Sequence, residues 1–411
     1  VYGEAEVTIK EVFNAIKLNQ SFGEIVEPHV AIQHANNGYP ATIKGLGIPG
    51  IIYRAKNNQI VNNGKRKAVK NIDDFPFPDW DLFDVQIYLE SGKRHGASHS
   101  WFYKPEEAVP MPINTARGCV FKCTFCHYVF WNDPYRNRTP NSVIGEIKQL
   151  IEKYHATHID FWDDLSFASA HQVEKMSDAI LESGLKFKWM ASVRVDLFSR
   201  GNLSGDGALK VAKKMKQSGC YDVGFALESG NQEIIEMMNK KIEVDAFLET
   251  VNIFKQVGIT VNTSVVFGYP TETKETIGET FDQCLKAGVY PSIGFLLPLP
   301  ATGMYDYAKQ KGLIVDEDAY LDSITERQDI CLNMTSMTNE EIMKEIKVGA
   351  KKLNDMLDLG LDENTFIKTK GYKNSKIKKK PLDPENIARI ENDVSFNYAS
   401  TEFKFETGKS C

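Results

Sequence analysis

The chain of 411 residues lacks the features of several large protein classes. No apolar run approaches the roughly 20 residues that a membrane-spanning helix needs. The first residues carry neither the basic start nor the apolar stretch of a signal peptide, and the chain reads as one that begins in mid-domain. The net charge of −6 gives no general attraction to nucleic acid or to anionic membranes. We therefore expect a cytoplasmic protein without a membrane span, with a small-molecule substrate and without nucleic acid as a partner.

Cysteine is too scarce for a disulfide framework, with seven residues in the whole chain. Four of them are scattered: Cys220, Cys284, Cys331 and Cys411. The others, Cys119, Cys123 and Cys126, form a C-x3-C-x2-C run. A tight triplet in a chain without a signal peptide indicates a reducing compartment and a metal site rather than bridges.

The triplet has no fourth cysteine close to it in sequence. Structural zinc sites and cubane iron–sulfur clusters are usually closed by four protein ligands. Three thiolates leave one metal position open, where a small molecule can bind and react. Zinc with His127 as the fourth ligand is an alternative, although Cys126 and His127 are adjacent, which is awkward for one tetrahedron. A non-catalytic metal or electron carrier is another alternative, but a carrier would be expected to have a fourth cysteine.

From about residue 109 to residue 300, short apolar runs alternate with amphipathic helical patterns. The predicted strands are Met111–Thr115, His158–Trp162, Phe187–Val195, Tyr221–Leu227, Thr260–Phe267 and Ile293–Leu297. The predicted helices are Ser142–Tyr154, Ala170–Ser183, Ala208–Ser218, Asn231–Met238, Val244–Val257 and Glu275–Ala287. Closed barrels of this kind have eight βα units. Six units therefore predict an α/β fold with an open, partial (β/α)6 barrel of the TIM type.

The sequence predicts three parts. Residues 1–90 contain a helical pattern, a hairpin between Gly50 and Asn63 and a linker rich in proline and aspartate. Residues 105–312 form the barrel. Residues 313–411 begin with a helical region that includes Asn339–Leu357 and then become polar, with a basic run between Lys373 and Lys380 that we interpret as a solvated segment.

Polar residues follow the predicted strands where each strand ends. They are Asp163 and Asp164, Arg194, Glu228 and Ser229, and Gly268. Since the carboxyl ends of parallel strands meet at one rim, these residues and the cysteine loop are expected to line one site. Glu228 can accept two hydroxyl donors, as a ribose offers, and Arg194 can bind a carboxylate with two hydrogen bonds. The alternatives are that Glu228 or one aspartate caps a helix, and that Arg194 forms an internal ion pair.

The cysteine motif, with Phe125 before its last cysteine and six βα units around it, resembles the radical S-adenosylmethionine (SAM) superfamily. The resemblance implies that Cys119, Cys123 and Cys126 bind a [4Fe-4S] cluster whose open iron chelates SAM. It further implies reductive cleavage of SAM to a 5′-deoxyadenosyl radical, with an electron from a flavodoxin or ferredoxin type of donor. The residues that it places at the cofactors are Phe125, Asp163, Arg194, Glu228, Ser229 and Gly268.

The N-terminal part resembles the junction of cobalamin-binding radical SAM proteins, in which a Gly-Glu-x-Glu segment ends a Rossmann-like cobalamin domain. The matching segments are Gly3-Glu4-Ala5-Glu6, Phe75-Pro76-Phe77-Pro78-Asp79-Trp80 and Tyr135-Arg136-x-Arg138. The Asp-x-His-x-x-Gly loop of cobalamin domains is absent, and the residues present could not enclose the corrin. Cobalamin is therefore expected in a longer parent protein, with methyl transfer to an unactivated carbon or phosphorus centre as the reaction. A radical cyclisation or rearrangement without methylation is the alternative.

Overall fold

The computed structural model describes residues 4–17, 47–54, 58–89, 108–127, 134–199, 205–324, 329–363 and 366–367. The basic run between Lys373 and Lys380 lies outside these residues, as does most of the polar C-terminal region. Within the described residues, no helix is both long and apolar enough to cross a bilayer.

The elements follow one another in the order expected for a βα protein. The strands are β1 (Ile52–Arg54), β2 (Ile60–Asn62), β3 (Pro110–Ile113), β4 (Ala116–Arg117), β5 (Arg136–Asn137), β6 (His158–Phe161), β7 (Lys188–Val193), β8 (Cys220–Phe225), β9 (Thr260–Phe267) and β10 (Pro291–Phe295). The helices are α1 (Glu6–Lys17), α2 (Pro140–Tyr154), α3 (Ala170–Ser183), α4 (Asp206–Gln217), α5 (Gln232–Met237), α6 (Val244–Gln256), α7 (Lys274–Ala287), α8 (Gly303–Gln310), α9 (Glu317–Ser323) and α10 (Asn339–Met356).

Six strands form one parallel sheet in the order β3-β6-β7-β8-β9-β10, which is also their order along the chain. A helix crosses over between successive strands, as parallel pairing requires. The strands β3 and β10 are the two edges, so the sheet curls without closing. The prediction of an open, partial (β/α)6 barrel is confirmed.

The ends of the elements shift by a few residues from their predicted positions. Strand β7 stops at Val193 because Val195–Leu197 turns into a short 3-10 helix that carries the chain away from the sheet. Helix α3 and strand β9 have their predicted bounds. Long periodic segments are the easiest to place from sequence, whereas ends depend on local hydrogen bonds.

The helix caps decide two of the alternatives that the sequence left open. Ser169, and neither aspartate of the preceding loop, caps α3 by accepting a hydrogen bond from Gln172 N. Asn231, rather than Glu228, caps α5 by accepting from Ile234 N. Glu228 and the aspartates are therefore not helix caps, and their positions have another physical reason.

The main core lies between the sheet and the helices that cover its outer face. The rings of Phe198, Phe225 and Phe254 meet edge to face in this layer, with centroids 4.8–5.9 Å apart. Helix α10 covers α7 at a point where Gly349 lies against Phe281. A Cβ on Gly349 would stand 2.2 Å from that ring, so only glycine lets the two helices approach this closely.

The N-terminal part is a separate small cluster. The predicted hairpin is confirmed, since β1 and β2 pair antiparallel with Tyr53 opposite Val61. Ala15 of α1 packs with Ile48 and Ile51 beside this hairpin. The boundaries of the three parts at residues 90, 105 and 312 stay a prediction.

Candidate active site

The cysteine loop is anchored by backbone hydrogen bonds to two distant segments. Thr124 N donates to the carbonyl of Met238 over 2.9 Å, and Met304 N donates to the carbonyl of Thr124 over 3.0 Å. The side chain of Asn239 donates to the carbonyl of Lys122 over 2.8 Å. The loop that carries the thiols is therefore fixed to the end of α5 and the start of α8 at the carboxyl rim of the sheet.

The three thiols of the loop border one cavity. Cys123 is buried, while Cys119 and Cys126 are partly exposed. Burial raises the pKa of the Cys123 thiol, and the positive charges of Lys240 and Arg194 act in the opposite direction. These cations are well placed to stabilise a thiolate, which is the form that binds metal.

No three histidine, cysteine or acidic side chains among the described residues converge closely enough to bind a single metal ion. A zinc site would require such convergence. A cubane cluster instead takes each thiolate on a different iron, so its ligands stand further apart. The three thiols are donors of the kind that an iron–sulfur cluster takes. The ligand role of the three cysteines stays a prediction.

The cavity has a volume of about 870 Å³ and runs from the cysteine loop into the interior of the barrel. This is near the upper end of the range for sites that take a small molecule. Of the residues predicted to contact cofactors, Phe125, Asp163, Arg194 and Glu228 line it, together with Cys119, Cys123 and Cys126. The described cavity wall does not include Ser229 or Gly268.

Glu228 follows β8 in a left-handed conformation with φ of 67°, which is uncommon for a residue with a side chain. Its N–H donates to the carbonyl of Ser264 and its carbonyl accepts from Val266 N, both over 2.9 Å. The carboxylate is 7% exposed, and its Oε1 lies 3.3 Å from Lys240 Nζ. Its Oε2 is buried and has no hydrogen-bond partner among the described residues. An unpaired buried acceptor in a cavity wall is costly unless a ligand donates to it, so the site fits a ligand with hydroxyl donors.

Arg194 follows β7 and is held by three contacts. Its Nε is 2.9 Å from an oxygen of Asp196, a second nitrogen donates to the carbonyl of Lys240, and the guanidinium lies 3.4 Å from the ring centroid of Phe121. The internal ion pair that the sequence left as an alternative is therefore present. The guanidinium has five N–H donors, and it still lines the cavity with donors beyond these contacts.

Lys240 is a site residue that the sequence analysis did not single out. It is 6% exposed, lines the cavity and neutralises Glu228. The flanking residues Asn239 and Lys241 both have positive φ, of 51° and 60°, so the turn after α5 is wound tightly to place this lysine. In the sequence, the segment Met238-Asn239-Lys240-Lys241 contains two adjacent lysines. Nothing in the segment shows which of the two is buried at the site.

Asp163 faces the backbone that leads into the cysteine loop. Its carboxylate accepts from Thr115 N over 2.8 Å, from Thr115 Oγ1 over 2.6 Å and from Ala116 N over 3.1 Å. These bonds fix the turn between β3 and β4, just before Cys119. Asp164 is exposed. The geometry therefore gives Asp163 a positioning role toward the cysteine loop.

Gly268, Phe125 and Ser229 support the site from outside or at its edge. Gly268 has φ of 105°, and its N–H donates to the buried carboxyl of Glu272. Phe125 meets the ring of Tyr269 edge-on at 6.4 Å. Ser229 is fully buried and its hydroxyl accepts from Asn231 N over 3.2 Å, within the turn that starts α5.

The N-terminal segment binds the two arginines that flank the cysteine loop. Glu4 lies 2.6 Å from Arg136 and 3.5 Å from Arg117, and Glu6 also pairs with Arg117. Burial alone would raise the pKa of Glu4, but these arginines hold it below its usual value. The ring of Phe75 lies 4.7 Å below the guanidinium of Arg117. The three segments that resemble a domain junction thus meet at the β4–β5 ribbon, next to Cys119.

Residues 113–284 match the model of the radical SAM superfamily. An uncharacterized methyltransferase of Pyrococcus horikoshii is 27% identical over 317 residues, which are 77% of this chain and 59% of that protein. An anaerobic magnesium-protoporphyrin IX monomethyl ester cyclase of Rubrivivax gelatinosus is 25% identical over 237 residues, 57% of this chain and 38% of that protein.

The structure of the cobalamin-dependent SAM radical enzyme OxsB, with aqua-cobalamin and SAM bound, has the same fold. It aligns with a TM-score of 0.52 at 14% sequence identity, over 82% of this chain and 41% of OxsB. This chain thus spans about three fifths of the P. horikoshii relative and about two fifths of OxsB. The fold agrees with the resemblance that the cysteine motif and the six units indicated.

Proposed function

We propose that this chain is the catalytic part of a radical SAM enzyme. The observation that carries the proposal is the meeting of three thiols, a buried carboxylate with one unpaired oxygen and two cations around a single cavity. The superfamily match supports it, since residues 113–284 include all of these groups. The pairing of Lys240 with Glu228 is visible only in the structure.

We assign roles to the residues as follows. Cys119, Cys123 and Cys126 would hold a [4Fe-4S] cluster with one open iron, and that cluster supplies one electron to a sulfonium compound bound there. Glu228 accepts hydrogen bonds from the ribose hydroxyls of SAM through Oε2. Arg194 and Lys240 balance negative charge at the rim.

The remaining predicted residues act on this site indirectly. Asp163 holds the turn before Cys119. Phe125, packed on Tyr269, keeps the last cysteine in place. Gly268 and Ser229 hold the β9–α7 and β8–α5 turns that shape the rim. The walls of the partial barrel limit the access of water to the cavity, which would protect a reactive intermediate.

Methyl transfer is the reaction that we favour. The P. horikoshii relative is named a methyltransferase, and OxsB is cobalamin-dependent. The N-terminal segment is clamped to Arg117 and Arg136 beside the cysteine loop, which is where a preceding cobalamin domain would have to act. Cyclisation is the second candidate, since the R. gelatinosus relative is a cyclase. Cobalamin and the methyl acceptor belong to the whole protein and are part of this proposal.

A one-electron donor of the flavodoxin or ferredoxin type and a cytoplasmic location complete the proposal. The cysteines of the described residues, including Cys220 and Cys284, are free thiols. Thiols and a reducible cluster both require a reducing compartment.

Anaerobic reconstitution with iron and sulfide tests the proposal. We expect about four iron atoms per chain, lost in the Cys119→Ala, Cys123→Ala and Cys126→Ala variants. Cys331→Ala is the matched control, because Cys331 is also a partly exposed free thiol but lies far from the loop in sequence. One zinc ion and no iron in the wild-type protein would contradict the proposal.

A further inference from the structure

The cavity continues below the cysteine end into the barrel interior, where side chains from neighbouring strands face one another in rows. One row contains Met190, Asp222 and Thr260, which are paired in register across β7, β8 and β9. The next row toward the rim contains Ser192, Gly224 and Asn262. All six residues line the cavity, so this part of the barrel is polar rather than filled by large apolar side chains.

Asn262 and Asp222 are hydrogen-bonded to each other in this interior. Asp222 is 1% exposed, and the amide nitrogen of Asn262 donates to its Oδ1. The absence of a side chain at Gly224 makes room for the amide, since a Cβ there would lie 3.0 Å from Asn262 Oδ1 and 3.4 Å from Ser192 Oγ. The amide of Asn262 and the hydroxyl of Ser192 thus lie one row toward the rim from the carboxyl that the amide binds.

The charge around Asp222 is unbalanced among the described residues. The pKa of Asp222 is raised to about 8, chiefly by burial; the hydrogen bond from Asn262 opposes this rise and the negative charge of Asp160 adds to it. No cation contributes to this balance. A buried carboxyl in such surroundings is stabilised by a ligand that brings a positive charge or N–H donors.

The pair lies within reach of the proposed cofactor end. Ala226 follows Asp222 by four residues, toward the rim, and it also lines the cavity. At roughly 3.3 Å per residue this is a depth of roughly 13 Å. Glu228 and Cys123 line the same cavity as Asp222, so a small molecule held at Asp222 can extend its other end toward them.

We propose that Ser192, Asp222 and Asn262 form a substrate subsite that binds an ammonium or another group rich in N–H donors. The inference rests on the proposed function, since it assigns the lower half of the same cavity to the substrate. It predicts a substrate that carries an amine or amidine-like end, with the reacting atom toward the cysteine loop. A substrate whose lower end is a carboxylate or phosphate would meet Asp222 with no cation among the described residues acting there to pair with it.

Binding of n-butylamine and n-butyrate to the full chain tests the subsite. These probes have nearly the same length and differ in charge. By titration calorimetry at about pH 9, where the carboxyl of Asp222 is ionised and butylamine is still protonated, we expect butylamine to bind at least about tenfold more tightly than butyrate. We expect Asp222→Asn to lose this preference, and Asp318→Asn, an exposed carboxyl on α9, to keep it.

Butyrate binding as tightly as butylamine in the wild-type protein would overturn the subsite, and this comparison needs no variant to fold. An unchanged preference in Asp222→Asn would overturn it too. The measurement requires neither cluster nor SAM cleavage. Failure to bind iron would therefore contradict the proposed function, while the amine preference could still be measured. A failure of the proposed function and a failure of the subsite are thus distinguishable.

Discussion

Lys240 Nζ lies 3.3 Å from Glu228 Oε1, and both side chains are 8% exposed. The other carboxylate oxygen, Oε2, has no partner in the described part of the chain. The lysine thus fixes the charge and the direction of the carboxylate, while one acceptor is left for a ligand. Burying such a half-satisfied pair without a ligand costs free energy, which makes it the best local marker of the proposed cofactor site.

Glu228→Gln should weaken SAM binding by about tenfold or more, because an amide accepts more weakly from two hydroxyls than a carboxylate does. Equilibrium binding of SAM to the anaerobically reconstituted protein measures this. Glu236→Gln, on the exposed face of α5, is the control and should bind as the wild type does. Unchanged affinity in Glu228→Gln would make Glu228 a structural residue.

Lys240→Met should lower the free energy of unfolding by about 3–5 kcal/mol, because it leaves the carboxylate of Glu228 buried without a counter-charge. Urea denaturation measures the change. Lys241→Met removes the neighbouring exposed lysine and should change stability by no more than about 0.5 kcal/mol. Equal effects in the two variants would show that the buried pair does not stabilise the fold.

Gly268→Ala should destabilise the protein by about 1–3 kcal/mol, because its φ of 105° is a conformation that residues with a Cβ rarely adopt. Space is not the obstacle, since the nearest atom to an added Cβ is 3.6 Å away. Gly278→Ala, in the middle of α7 and with no atom within 4 Å of the new Cβ, should instead stabilise by about 0.5–1 kcal/mol. Denaturant midpoints of both variants give the comparison, and destabilisation by both would refute the conformational argument.

Glu272 should make stability depend on pH. Burial raises its pKa to about 8 against the bonds from the Gly268 and Tyr269 backbone, and its Oε1 has no partner among the described residues. The folded state therefore holds the proton more tightly than the unfolded state, so stability falls as the pH rises from about 4.5 to about 8.

The Glu272→Gln variant should lose this fall and become more stable than the wild type by a few kcal/mol at pH 8, with little difference at pH 4.5. Urea unfolding across this range measures it. Glu275→Gln is the control, because the pKa of this exposed carboxyl is lowered by backbone and Thr273 hydrogen bonds. A parallel pH dependence in the wild type and Glu272→Gln would contradict the buried carboxyl as the cause.

The fold could be predicted from the sequence because its signals are local and repeated. Helix α3 and strand β9 have their predicted bounds since apolar periodicity and flanking turns define both. The three-cysteine spacing likewise predicts a metal site on the loop after the first strand of the sheet. Each of these inferences needs only a short window of sequence.

The site's electrostatics could not be predicted in the same way. Lys240 and Lys241 are equivalent in sequence, and only the tight turn after α5 buries the first of them. The hydrogen bonds that Asp163 accepts from Thr115 and Ala116 join residues 48 and 47 positions apart. The interior pairing of Asp222 with Asn262 depends on strand register, which one sequence does not determine.

Reductive cleavage of SAM tests the central claim most directly. The reconstituted full chain is reduced with dithionite under anaerobic conditions in the presence of SAM, and 5′-deoxyadenosine is quantified by chromatography. The account predicts 5′-deoxyadenosine from the wild-type protein and from Cys331→Ala, and none from Cys123→Ala. Intact SAM after incubation with a wild-type protein that holds its full complement of iron would contradict it.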